Sequence, residues 1–408
     1  MSSQSYKART LGIVGAGIAG LTLAIRLRQF GWPVCVFDAR DERTLLTEGL
    51  FLTVAPPGMN GLRLLGLKEA VARAGMVTSS IELFDETGHA LAHIDQSDHC
   101  EVFGSDSVTL PRGLLLRPFL ERARQAGAEL RLGTLIESVE PKRDAVALVT
   151  DDGESREFSL VAACDGLNSH TRRHVFPDYP KAIPSGLIGT GGFVDVPEVP
   201  ETGGAMKMTF GRNAFLGYQK SGDGAVHWFS SYPLERGNQR PDDPREYADR
   251  LRRLHASDPQ LNRSILAAIP GIERDYPIYN MPPLPTWHRG RIVLVGDAAH
   301  AVGPHAGLGA SMAIEDGLVL ADELLKNEDY EAAFSAYERR RKPRIEKVVA
   351  ATERNGSQKR ASNWFARMAR RLILPLVIPL GARSMRGLFA YRIDQDLTEP
   401  AGERKNVS

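Results

Sequence analysis

Leu11 to Asp38 reads LGIVGAGIAGLTLAIRLRQFGWPVCVFD, and the fold follows from taking it piece by piece. Leu11–Val14 is an apolar run suited to a short buried strand. A glycine-rich turn follows, Gly15-Ala16-Gly17-Ile18-Ala19-Gly20, and then Ile18, Leu21, Ala24 and Ile25 recur on one face of a helix closed by Gly31. Val34–Phe37 is a second strand, and it ends in Asp38. In a strand–turn–helix–strand unit of this kind the first glycine permits the tight turn. The second lets a pyrophosphate approach the backbone, and the third lets helix and strand pack closely. Asp38 stands where an acidic side chain accepts the ribose hydroxyls of an adenosine. The stretch predicts dinucleotide binding on a Rossmann-like α/β unit.

NAD enzymes and FAD proteins share this opening. No second fingerprint follows, because Gly189-Thr190-Gly191-Gly192 has the wrong spacing. Nucleotide-like motifs do recur downstream, which points to FAD held along its whole length. Of these, Arg291–Leu325, RIVLVGDAAHAVGPHAGLGASMAIEDGLVLADELL, is the most informative. It predicts a buried strand over Ile292–Val295, a turn at Gly296-Asp297 and a loop through Pro304. The helix restarts at Gly307-Leu308-Gly309 and carries Ile314, Leu318, Ala321 and Leu325 on one side. Free N–H groups and the positive dipole end converge at such a helix start, so it suits an electron-rich group.

Between these ends, Glu48–Leu67 predicts a strand, a Pro-Gly turn and a short helix. Ile81–Leu91 predicts a strand pair, and Leu110–Gln125 a helix with Arg112 at its start. Glu129–Val139 and Ala145–Thr150 alternate like paired strands, and Leu160–Ala163 leads into Cys164-Asp165-Gly166. From about Val175 prolines punctuate short strand candidates, including a meander over Ala205–Phe210, Ala214–Lys220 and Ala225–Tyr232; Pro241–Ile269 turns helical. The expected organisation is a Rossmann-like FAD-binding domain in two parts, residues 1–174 and 281–355. A β-sheet-rich substrate domain, residues 175–280, is inserted between them, and a helical segment with a tail occupies 356–408.

Composition excludes several functions. The 408 residues carry 51 basic and 50 acidic side chains, so no global field recruits nucleic acid. Cys35, Cys100 and Cys164 are too scattered for a disulfide framework or a metal site and suit core positions in a reducing, cytoplasmic setting. Glycines at 12, 15, 17 and 20 argue against a signal peptide, and no apolar run reaches the length of a membrane span. The basic stretch from Arg339 to Arg371, with Ile373–Leu380 after it, leaves weak contact with a membrane surface open. Oligomeric state is not written in the sequence.

Three motifs in fixed order together resemble the group A flavoprotein monooxygenases, the family of para-hydroxybenzoate and salicylate hydroxylases and tetracycline-modifying monooxygenases. They are Gly15–Gly20 with Asp38; Asp165-Gly166 with Asn168, Ser169 and Arg172; and Gly296-Asp297 with His300, Pro304 and Gly307–Gly309. The resemblance implies FAD contacts at Gly15, Gly17, Ile18, Ala19 and Gly20, with Asp38 and Arg40 at the adenosine and Ile136 near the adenine. It places Arg112 on the flavin side, Asp165 near the pyrophosphate and Gly296-Asp297 at the ribityl chain. Pro304, Gly307, Leu308, Gly309, Ala310 and Ser311 would lie at the flavin edge. Ser311 stands where the family often has asparagine. The implied reaction is hydroxylation of a small aromatic or other electron-rich molecule by O2 through a flavin C4a-hydroperoxide, with NADPH or NADH as transient donor. It demands no particular catalytic acid or base, although His300 and His305 are candidates in the abstract. Phe210, Phe215, Tyr218 and Trp228 are candidate pocket walls. Alternatives on the same scaffold are a reductase or saturase, a halogenase (whose Trp-x-Trp-x-Ile-Pro motif is missing here), or a flavin- or ligand-binding protein without turnover.

Overall fold

The structure, a computed structural model, describes residues 9–222, 224–234, 241–303, 307–357 and 385–397. The strand Leu11–Val14 lies at the centre of a six-stranded sheet. On one side of it are Val34–Asp38 and Glu129–Leu132; on the other are Leu160–Ala163, Ile292–Leu294 and His288–Arg289. All neighbours are parallel except the last pair. Strands buried on both faces read as continuous apolar runs, and LGIV, LVAA and IVL do so.

Register places the function. Val14 lies beside both Phe37 and Ala163, and Ala163 lies beside Leu294. The loops that leave these strands therefore emerge side by side, although they start at residues 15, 39, 164 and 295. Ligands of open α/β sheets bind at this edge, beyond the carboxyl ends of the strands. The helix Ile18–Gln29 is sandwiched beneath, and its residues Ala19–Leu27 are all buried. The helix Gly309–Lys326 packs on it so closely that a Cβ on Gly317 would lie 2.8 Å from Ala19 O.

A seven-stranded sheet roofs this edge. Its order is Tyr276–Asn280, Ile183–Val194, Val226–Pro233, Phe215–Gln219, Ala205–Phe210, Ser80–Asp85 and Ala90–Asp95. Its last two strands come from before residue 174. Helices Pro244–Leu254 and Gln260–Ala267 cover the outer face of the roof and bury a separate core that includes Trp228, Tyr232 and Tyr247. A small sheet, Phe51–Val54, Ser107–Pro111 and Met76–Thr78, stands between the two large ones.

Three local expectations need correction. Glu129–Leu132 does not pair with Ala145–Thr150 but extends the six-stranded sheet; Gly133, at φ 74°, ends it, and Ile136–Pro141 makes the antiparallel pair instead. Pro56 and Pro57 begin the helix Pro56–Leu65 rather than forming a turn, since a first-turn N–H has no intrahelical partner to lose. Leu110 belongs to the strand Ser107–Pro111, and the helix starts at Arg112, because a residue preceding proline is held extended. Of the cysteines, Cys35 and Cys164 are buried as expected, but Cys100 is exposed. Among the described residues no helix is long and apolar enough to cross a membrane. Ile373–Leu380 lies outside the described residues.

Candidate active site

A cavity of about 1320 Å³ runs from Asp38 and Arg40, past Gly15, Gly17, Asp165 and Asp297, to Gly307, Gly309 and Ala310, and continues under the roof sheet. Single-ligand pockets run to about 300–1,000 Å³, so there is room for a dinucleotide and a second small molecule.

At one end the Asp38 carboxylate accepts the Ala16 N–H at 2.8 Å, the Arg40 N–H at 2.9 Å and the Arg40 guanidinium through Nε and Nη2, each at 3.0 Å. These four bonds fill its lone-pair positions. A ribose hydroxyl donating to Asp38 would therefore take the place of the Arg40 guanidinium, which is part-exposed. Ile136 lines the same end.

In the middle, one Asp165 oxygen accepts the Thr171 N–H at 2.9 Å, while Oδ1 is buried without a partner among the described residues. Such an oxygen is costly unless something fills its place. Gly17 is open: a Cβ there would meet nothing within 4 Å. Gly15 (φ 110°) and Gly20 are not, with hypothetical Cβ atoms 2.3 Å from Cys164 O and 2.1 Å from Gly15 O. Arg112, half-buried, projects into the cavity with no side-chain partner among the described residues. Burial and the neighbouring Arg40 push its pKa down, against the pull of Asp38, Glu48 and Asp297. Asp297 is exposed where it lines the cavity. The protein around it pushes its pKa up, as does Asp316, while His300 and Arg112 oppose the shift.

At the far end the helix Gly309–Lys326 has no side-chain cap and no acidic residue in its first turn. Gly307, Gly309 and Ala310 line the cavity there, so unpaired N–H groups and the dipole meet whatever occupies it.

Several expected contacts are instead supports. Gly20, Gly296 and Leu308 stand behind the wall of the cavity. Ser311 is fully buried, its hydroxyl accepting the Ala55 N–H at 2.9 Å, and so belongs to helix packing rather than to the cavity. His300 is clamped at 2.5 Å by Asp316, which also accepts from Arg341 at 2.6 Å. Arg172 binds Ala298 O and Leu167 O, both at 2.6 Å, and so ties the Asp165 loop to the Asp297 loop. Pro304 and His305 lie outside the described residues.

Of the four aromatic wall candidates, Phe210 and Phe215 line the cavity, whereas Tyr218 and Trp228 face the outer helices. Strand side chains alternate between faces, so Phe229, not Trp228, looks inward. With it come Ile81, Leu83, Met206 and Met208. Thr53, Thr78, His99, Arg386 and Phe389 also line the cavity. No local pattern marks them, because long-range packing alone brings them together.

The chain matches the model of the family described as FAD binding domain over residues 7–352. It is 29% identical over 382 residues to Aurachin C monooxygenase/isomerase of Stigmatella aurantiaca, covering 93% of this chain and 97% of that protein. It is 27% identical over 356 residues to 6-hydroxynicotinate 3-monooxygenase of Pseudomonas fluorescens, covering 85% and 90%. Among solved structures, that of Klebsiella pneumoniae HpxO complexed with FAD and uric acid superposes with a TM-score of 0.83. It covers 95% of this chain and 99% of that one at 22% identity, a likeness of fold.

Proposed function

This chain belongs to the FAD binding domain family, and from that membership we propose that it is an FAD-dependent monooxygenase that uses NADPH or NADH and O2 to hydroxylate a small aromatic or heteroaromatic molecule. The observation that carries the reading is the convergence of Gly15, Gly17, Ile18, Ala19, Asp165 and Asp297 on one cavity that continues beneath an apolar sheet. The residues fit FAD. Gly17 leaves open the space a pyrophosphate needs, Asp165 and Arg112 supply polar groups unpaired among the described residues along the middle, and the helix start at Gly309 suits an electron-rich edge.

Asp38, Arg40 and Ile136 would hold the adenosine end, Asp297 the ribityl chain, and the N–H groups at Gly309–Ala310 the flavin ring. FAD, when bound, supplies electron transfer from the nicotinamide and activation of O2. The chain's own part is positioning and exclusion of water. Leu83, Met208, Phe215 and Phe229 present an apolar roof, and the helix dipole stabilises negative charge at its N-terminus. The helices packed behind the roof support reading residues 175–280 as the core of a substrate domain, and the buried free thiols Cys35 and Cys164 suit the cytoplasm.

The test is purification with FAD, followed by NADPH and NADH oxidation over an aromatic panel and labelled O2 with the best stimulant. Labelled oxygen in the product is the expected result. A protein that cannot be loaded with FAD, or a product free of label, overturns the reading.

A further inference from the structure

Three threonine hydroxyls and one glutamine form a buried chain beside the cavity. Thr53 Oγ1 lies 2.7 Å from Thr109 Oγ1, Thr109 Oγ1 lies 2.8 Å from Thr78 Oγ1, and Thr78 Oγ1 lies 3.2 Å from Gln219 Oε1. Thr109, Thr78 and Gln219 are buried; Thr53 and Thr78 both border the cavity, and Thr53, only partly buried, is the more open to it. Their placement follows from strand pairing. Thr53 stands directly across from Thr109, and Thr78 is on the strand that flanks Thr109 on its other side.

Distances do not reveal which atom donates, but the network decides it. The Gln219 amide nitrogen faces two carbonyls, Val77 O and Gly204 O, each at 3.3 Å. Its Oε1 must therefore be the atom that meets Thr78, and an amide oxygen only accepts. Thr78 thus spends its single proton on Gln219. The Thr78–Thr109 contact then needs the proton of Thr109, and the Thr109–Thr53 contact needs the proton of Thr53. Every proton in the chain points toward Gln219. Thr53 is left with a lone pair and no proton to offer the cavity. It shares a strand face with Phe51, whose ring packs at 5.9 Å against Phe229 of the roof, so that lone pair looks into the part of the cavity under the sheet.

We infer that Thr53 is a specificity-determining residue that reads a hydrogen-bond donor, a ring N–H or O–H, on the substrate, with its polarity imposed from Gln219. The inference rests on the assignment of this cavity as the reaction site of a flavin monooxygenase. An acceptor fixed beneath the apolar roof of Leu83, Met208, Phe215 and Phe229 discriminates strongly, because a ligand lacking the donor leaves it unpaired.

The probes are indole and benzofuran, which share a shape and differ in N–H against ring oxygen. Calorimetric titration of the full-length, FAD-loaded protein should show indole bound roughly three- to tenfold more tightly, the worth of one hydrogen bond. Thr53→Val should remove that preference by weakening indole and leave benzofuran within about twofold. Thr53→Ser should retain it. Gln219→Leu, at a position that does not line the cavity, should erase most of the preference, because Thr78 is released and the chain is free to reverse; unchanged benzofuran binding shows that this variant is folded. The inference is overturned if neither probe binds, if the parent shows no preference, or if Thr53→Val weakens both probes equally. It is also overturned if Thr53→Val alters FAD retention and the flavin spectrum while the probe ratio stays put, since the lone pair would then serve a flavin N–H. Heat is read without turnover, and the titration can be repeated without FAD. Failure to load FAD or to oxygenate a substrate therefore bears on the proposed function alone.

Discussion

Ser311 accepts a hydrogen bond from the backbone N–H of Ala55 at 2.9 Å, and the pair fastens the start of the helix Gly309–Lys326 to the start of the helix Pro56–Leu65. Gly58 presses on the same spot, where a Cβ would lie 2.6 Å from the Ser311 hydroxyl. Ser311→Ala should cost about 1–3 kcal/mol by leaving a buried N–H unpaired. Ser311→Asn, the family's common residue, should also destabilise by about 1–3 kcal/mol through overpacking. Urea denaturation checks both, and neither should selectively weaken FAD.

Gly17 and Gly20 separate cofactor space from packing space. A Cβ at Gly17 meets nothing within 4 Å beyond its own chain neighbours, and its φ of −79° suits any residue. Gly17→Val should leave the melting temperature of the FAD-free protein within a few degrees and weaken FAD at least about tenfold, since only the ligand would clash. Gly20→Ala should instead cost several kcal/mol of stability, because its Cβ would sit 2.1 Å from Gly15 O. Thermal melts beside flavin titration distinguish the two.

Arg112 carries a charge without a side-chain hydrogen-bond or ion-pair partner among the described residues. Arg112→Ala should therefore cost little stability in the FAD-free protein and reduce FAD affinity by about tenfold or more, the worth of one charge-assisted hydrogen bond. Arg112→Lys should recover only part of that loss, since an ammonium lacks the fork. Equilibrium flavin fluorescence measures the series.

Trp228 and Phe229 are adjacent in sequence and look in opposite directions. Trp228→Ala should destabilise by about 3–5 kcal/mol by emptying the core behind the roof. Phe229→Ala should cost less and show mainly as a raised KM for the aromatic substrate. Denaturation and steady-state kinetics on the two variants check the contrast.

His227 sits between Phe51 and Phe193, at 5.3 and 4.8 Å, with its Nδ1 unpaired among the described residues. Burial pushes its pKa down to about 4 from an ordinary 6.5. The unfolded chain thus binds the proton first: stability is full above about pH 6.5 and falls as pH drops toward 4. The upper bound is ~3 kcal/mol at pH 4, discounted to ~1–2 for water reaching the half-buried ring. His227→Gln should flatten this acid limb when denaturation midpoints at pH 7 and 5 are compared. His99, also lowered by burial, should leave some slope.

The cofactor half of the site was legible early because its signals are local. A strand, a glycine turn and a helix start occupy a dozen residues each, and the glycine spacing answers to the shape of a pyrophosphate. The substrate half was legible only as a composition of short strands and aromatics. Tyr218 and Trp228 carried the same apolar signal as Phe215 and Phe229, and a two-residue period says that neighbours diverge without saying which one faces in. Arg112 was visible as an odd cation at a helix start, but its projection into the cavity was not.

From the sequence alone came the Rossmann-like unit, FAD as the cofactor and the order of the three motifs, since each depends on backbone conformations set within a few residues. The tertiary structure decided that residues 15, 165 and 297 share one cavity, because sheet register aligns strands far apart in the chain. It also decided which face of the roof is lined for a ligand. The hydrogen bonds that polarise Thr53 join residues 56, 31 and 141 positions apart. Contacts at that range leave no local pattern: each threonine by itself reads as an ordinary strand residue, and only folding turns three of them into a directed chain.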